Sequence, residues 1–157
     1  MAIEQFTSRT KRQAATIRGA LRILEQELKD YGPALASPNA IRNLLRLRLA
    51  SEERELFMCL FLNAQNQLID ARTMFAGTVT QTAFHPREVA RAALQLNAVS
   101  IIVAHNHPSG NCNPSTADTL LTTALRDALE LIDVRLLDHF IVGQGAILSF
   151  AEEGLLK

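Results

Sequence analysis

The chain has 157 residues, 48% of them hydrophobic and 20% charged, with 16 Lys/Arg balancing 16 Asp/Glu. Such a length suits one domain with a small accessory and buries roughly 70% of its surface on folding, which excludes a disordered chain or one dependent on disulfides. Residues 1–50 carry nine Lys/Arg against four Asp/Glu and the remainder seven against twelve, so a modest basic bias sits at the front of a neutral whole.

That bias could serve an acidic partner or a nucleic-acid backbone. The simpler reading is arginines on the wet faces of helices, and no run is dense enough to form a binding patch. Cys59, among apolar neighbours, reads as a buried thiol. The opening MAIEQFTSRTKRQ lacks the apolar stretch of a signal peptide and no apolar run reaches membrane-spanning length, so the expectation is a cytoplasmic protein without a membrane partner.

The first predicted element is a helix over 10–31, with Ile17, Leu21, Leu24 and Leu28 at helical spacing and Gly32-Pro33 as its stop. Ser37 as N-cap and Pro38 at the first turn open a second helix, packed through Ile41, Leu44, Leu45 and Leu49. These two helices form an expected accessory segment, 1–50, ahead of a main domain, 51–157. LFMCLFL at 56–62 predicts a strand covered on both faces. NAQNQ at 63–67 turns the chain, 68–75 returns as a strand, and Gly77 bends it before a short Thr- and Val-rich strand. A helix over 86–97 follows, with Val89, Ala92, Ala93 and Leu96 inward, His85 just ahead of it and Glu88 at the positive end of its dipole.

VSIIVA at 99–104 predicts another buried strand and runs straight into the polar loop HNHPSGNCNPS. Ser115 begins a helix with Leu121, Leu125, Ala128, Leu129 and Ile132 on its apolar face. A strand over 134–142, a turn at Gly143 and Gly145, and a closing strand over 146–150 complete the order. The fold class is α/β, a mixed β-sheet flanked by helices and preceded by the two short N-terminal ones.

The chemistry concentrates where the second buried strand ends. His105 and His107 are two apart, so in extended backbone their imidazoles share one side, at the strand end where α/β sheets place ligands. Asp118, three before Leu121 and seven before Leu125, falls on the inward face of the next helix, where a lone carboxylate is costly to bury. Two imidazoles and a carboxylate suit Zn2+ with one position left for water, and such water becomes a nucleophile near neutral pH. The alternative is structural: Ser115 and Asp118 as a reciprocal cap, and the histidines as loop residues bonded to backbone.

A proton acceptor is also required. Glu55, at the head of the first buried strand, is the candidate to take a proton from the water and pass it to a leaving amine; the alternative is an exposed charge guarding the strand end. Ser115 could donate to a developing oxyanion or serve only as N-cap. Asp138 and His139 interrupt an apolar strand and face opposite sides, so at most one points at the metal. A structural hydrogen bond is the favoured role for His139, with a contact behind the metal as the alternative. Asn106 and Asn113 are read as holding the loop.

HNHPSGNCNPSTAD at 105–118 fits H-x-H-x₇-S-x₂-D and resembles the signature of the JAMM (MPN+) metalloprotease family. LFLNAQNQLI at 60–69, GTV at 77–79, HPREVARAAL at 85–94, LLDHFIVG at 136–143 and SFAEEGLL at 149–156 resemble its bacterial RadC branch. The resemblance covers roughly 50–157, and the short helical front is similar to compact members from prophage and other mobile regions. It implies a JAMM/MPN-like fold with cytidine-deaminase-like layering, zinc on His105, His107 and Asp118, Glu55 as general acid/base, and Ser115 polarising the carbonyl. Relatives outside the bacterial branch cleave peptide or isopeptide bonds, often to ubiquitin-like proteins.

The expected function is therefore a zinc-dependent metallopeptidase or amidohydrolase acting on a peptide or protein substrate. Deaminase chemistry lacks its H-x-E and P-C-x-x-C pair. Two other readings remain: a nucleic-acid-binding accessory of DNA repair or mobile-element maintenance, and a non-catalytic protein-binding module stabilised by metal. The RadC-like branch carries a DNA-repair label, but residues 1–50 lack the Gly-containing hairpins of the longer RadC form.

Overall fold

The computed structural model describes residues 11–30, 38–77 and 84–156. The expected boundaries at 10 and 31, the Gly32-Pro33 stop, the Ser37 cap and the Thr- and Val-rich strand after Gly77 lie outside them. Helix α1 (Lys11–Asp30) and helix α2 (Pro38–Leu49) come first. They are followed by β1 (Leu56–Leu62), β2 (Leu68–Ala76), α3 (Pro86–Gln95), β3 (Ser100–Asn106), α4 (Thr116–Glu130), β4 (Arg135–Val142) and β5 (Ile147–Ser149).

The strands form one sheet in the order β2-β1-β3-β4-β5. β1 is antiparallel to both β2 and β3, β3 and β4 are parallel, and β5 returns antiparallel on β4. The sheet is mixed and helices cover it, as the order of apolar runs predicts. Among the described residues no helix is long and apolar enough to cross a membrane.

Side-chain alternation along β1 splits its unbroken apolar run between two cores. Met58, Leu60 and Leu62 join Ile102, Ala104 and Phe140 beneath Leu28 of α1 and Ile41, Leu44, Leu45 and Leu49 of α2. Phe57, Cys59 and Phe61 join Ile101 and Val103 beneath Val89 and Ala93 of α3 and Leu125 and Leu129 of α4. The inward residues expected for α2 are all buried, and each fully buried leucine contributes about 1.5–3 kcal/mol. Burial also pushes the Cys59 thiol well above its usual pKa, which keeps it inert.

One irregularity bears on the site. β3 steps one residue, from Ile101 to Ile102, while β4 steps two, from Leu136 to Asp138. The bulge at Leu137 reverses the alternation of β4. Without it Leu136 and Asp138 would share the α4 face; with it His139 takes that face, opposite Val103.

Candidate metal centre

β3 follows the same alternation. Ile101 and Val103 face α3 and α4, so His105 does too, and His107 follows as the chain leaves the strand. Asp118 reaches the same point from the first turn of α4. His105 Nε2 lies 2.9 Å from His107 Nε2 and 3.1 Å from Asp118 Oδ1, while His107 Nε2 lies 3.4 Å from Asp118 Oδ2. His105 and Asp118 are buried and His107 is half-buried. The three side chains form a group that could hold a metal ion.

The donor set fits a cation. His107 Nδ1 is 2.7 Å from the carbonyl oxygen of Asn111, which can only accept, so Nδ1 carries the proton and the neutral ring presents its lone pair at Nε2. Asp118 is a carboxylate: burial alone would raise its pKa, but the neighbouring His105 ring and the hydrogen bonds from Ser115 outweigh this and hold it well below the usual range. Among the described residues, the His107 lone pair and the Asp118 carboxylate thus meet His105 Nε2 at one point. A divalent ion with nitrogen and oxygen ligands fits that point.

The cap leaves one Asp118 oxygen turned towards the cluster. Ser115 is the N-cap of α4: its Oγ accepts from Asp118 N at 3.1 Å, and its N and Oγ both donate to Asp118 Oδ2 at 2.7 Å. The other oxygen, Oδ1, faces His105.

Glu55 directly precedes β1. Phe57 pairs with His105, which puts Glu55 at the edge of the sheet where His107 leaves β3. Two neighbours fix that stretch of backbone: Gly77, whose N donates to Glu55 O at 2.8 Å, and Asn106. Asn106 Oδ1 accepts from Leu56 N at 2.7 Å, and Asn106 Nδ2 donates to the carbonyls of Glu52 and Arg54 at 3.2 and 3.0 Å. Asn106 thus clamps the segment ahead of β1 rather than its own loop. Within the loop, the residue whose side chain holds backbone is Asn111, whose Oδ1 accepts from Asn113 N.

The loop is seated on the end of β4. His107 N donates to Val142 O at 3.0 Å and Gln144 N to Gly110 O at 3.3 Å. At Gly143 a Cβ would drive into the Gly110 carbonyl oxygen, so only glycine permits this approach. A cleft of about 350 Å³ opens beside His107, lined among others by Ala50, Glu52, Glu53, Asn106, Pro108 and Gln144.

His139 stands closer to the centre than the sequence suggests. Its Nε2 is 2.8 Å from His105 Nδ1 and its Nδ1 is 2.6 Å from Thr122 Oγ1. Complete burial, then the neighbouring His105, push its pKa well below the ordinary histidine value. Asp138 points away, accepting from Ser149 Oγ, His139 N and Ala151 N. Thr122 was not foreseen, although a polar residue four after Asp118, between Leu121 and Leu125, marks the same helix face. His85 precedes α3 without a side-chain capping bond.

A mixed sheet between two helical layers, with a His-His-Asp cluster at the end of a central strand, defines an α/β domain of MPN/JAB type. Residues 35–155 match the RadC-like JAB domain, and the chain belongs to that family. It is 53% identical over 142 residues to a UPF0758 protein of Nitrosospira multiformis, covering 90% of this chain and 63% of that one. It is 51% identical to the UPF0758 protein YfjY of Escherichia coli, over 90% of this chain and 88% of that one. It is 50% identical to the UPF0758 protein YkfG of the same species, over 94% and 93%. The chain thus spans less than two thirds of the Nitrosospira relative and most of the two from Escherichia coli.

Proposed function

We propose that the chain is a zinc-dependent hydrolase of the JAMM type that cleaves a peptide or isopeptide bond in a protein substrate. The observation that supports this reading is the convergence of the His105 and His107 Nε2 atoms with the Asp118 carboxylate within 2.9–3.4 Å. A zinc ion held there would supply Lewis acidity and an acidified water. The remaining steps fall to the chain itself. Glu55 accepts the proton of the attacking water and returns it to the departing amine. The Ser115 hydroxyl, exposed at the helix start, turns from Asp118 to the carbonyl oxygen as negative charge develops there.

The test is metal analysis of the purified protein together with a screen of peptide and isopeptide libraries, run in parallel on Glu55→Gln. Wild type should carry about one zinc and cleave a subset of substrates. Glu55→Gln should keep its zinc and lose turnover by about 10²–10⁴-fold. Zinc-loaded wild type that cleaves nothing while binding protein ligands would favour a non-catalytic module, and protein that refuses zinc would remove the reading altogether.

A further inference from the structure

A ligand histidine can bind metal through Nε2 only if the proton of its neutral ring sits on Nδ1. His107 meets this through the Asn111 carbonyl. Among the described residues no carbonyl or carboxylate fills that role for His105, whose Nδ1 faces another imidazole, His139. An imidazole is ambiguous, able to accept or to donate, and the ambiguity must be settled further along.

The chain of contacts settles it. Thr122 Oγ1 is 2.6 Å from the backbone carbonyl oxygen of Asp118, four residues earlier in α4, and 2.6 Å from His139 Nδ1. The carbonyl only accepts, so the single hydroxyl proton of Thr122 is committed to it. Oγ1 then receives a proton from His139 Nδ1, and the neutral His139 ring is left with its lone pair at Nε2. That lone pair accepts from His105 Nδ1–H, and His105 Nε2, which faces Asp118 Oδ1 at 3.1 Å and His107 Nε2 at 2.9 Å, presents its lone pair to a cation shared with them. The aromatic walls hold His139 in this orientation: Phe150 stacks on it with centroids 4.8 Å apart and Phe57 meets it edge-on at 5.8 Å.

We propose that Thr122 and His139 are positioning residues that fix His105 with its proton on Nδ1, so that its Nε2 lone pair is aimed at the metal point. Proton direction is set by a backbone carbonyl of Asp118, a residue that is itself a candidate ligand, so one helical turn of α4 orients two of the three ligands. Partners behind a ligand histidine commonly raise metal affinity by 10–100-fold. The inference deepens the metal-site reading above and rests on it for its consequence, while the tautomer itself can be read without metal.

The experiment uses ¹⁵N-histidine-labelled, chelator-treated protein at about pH 8, where free histidine is neutral, and follows ring-nitrogen shifts in wild type, Thr122→Val and Thr122→Ser. Zinc affinity is measured on the same samples by competition with a chromophoric chelator, and circular dichroism reports folding. Wild type should show His105 protonated at Nδ1. Thr122→Val removes the acceptor for His139 Nδ1–H, so His139 should sample the other tautomer and drive a proton onto His105 Nε2. A mixed His105 signal and a zinc affinity lower by about 10–100-fold should follow, with Thr122→Ser restoring both. Wild type with His105 unprotonated at Nδ1 would overturn the inference, as would a folded Thr122→Val with wild-type tautomer and affinity. Wild type that shows the expected Nδ1 proton but takes no zinc would support the relay and overturn the metal reading instead.

Discussion

Ser115 and Asp118 share one carboxylate between two tasks. Asp118 Oδ2 closes the cap of α4 by accepting from both the nitrogen and the hydroxyl of Ser115, and Oδ1 stands 3.1 Å from His105 Nε2. The helix start therefore fixes the rotamer of Asp118 before any ion arrives, and the positive end of the helix dipole favours the charge there.

Substitution of Asp118 by Asn should separate these tasks. The amide oxygen can still close the cap, but the amide nitrogen would face His105 as a donor and the charge is lost. Zinc affinity should fall by more than about 100-fold, while stability changes within the range of a weakened cap, about 0.5–2 kcal/mol. Chelator competition and thermal melts measure the two, and undiminished zinc binding would remove Asp118 from the ligand set.

Ser115→Ala removes the hydroxyl and leaves the backbone donor of the cap. A stability loss of about 1 kcal/mol is expected from the cap. If the hydroxyl also steadies the carbonyl oxygen, kcat should drop by about 10²–10³-fold with KM little changed. Loss of stability with full turnover would confine Ser115 to the helix end.

Leu45→Ala tests whether α2 is integral to the sheet. Leu45 is fully buried in the cluster that includes Leu60, Ile102 and Phe140. Truncation should cost about 2–5 kcal/mol, read as a shift in the urea midpoint with unchanged slope. A cost near zero would make the α2–sheet contact dispensable.

Much of this site follows from parity. The i, i+2 rule puts His105 and His107 on one side of β3, and the apolar stripe of α4 puts Asp118 on the facing side; the structure brings all three together. The same rule sends Asn106 to the opposite face, and its link to the segment 52–56 could have been anticipated from that. His139 could not be placed so simply. Whether it or Asp138 faces the site depends on the bulge at Leu137, and nothing in LLDHFIV marks an extra residue. Thr122 escaped notice because a threonine in a helix is ordinarily unremarkable, and its importance comes from a partner seventeen residues later.

Asp138 offers a pH test away from the cluster. Burial raises its pKa, and hydrogen bonds from Ser149, Ala151 and His139 offset this only in part. The native state thus holds the proton more tightly than the unfolded chain, whose aspartates ionise near about pH 3.9. The group's contribution to stability is fully present below that value and is lost as pH rises through the raised native value. Asp138→Asn has no such ionisation. The stability of Asp138→Asn relative to wild type should increase across this window and then level off, as followed by urea midpoints from about pH 3 to about pH 7. A relative stability that does not vary with pH would refute the raised pKa.

Gly143 is not one of the three clustered residues, yet its bare α-carbon lets the turn after β4 nest against the Gly110 carbonyl. Together with the bonds from His107 N to Val142 O and from Gln144 N to Gly110 O, this anchors a polar loop to the end of β4. His107, the most solvent-exposed member of the trio, is thereby spared the wandering of a surface segment. An ion entering this cluster would find its seat already built, the entropy of arranging it having been spent when the chain folded.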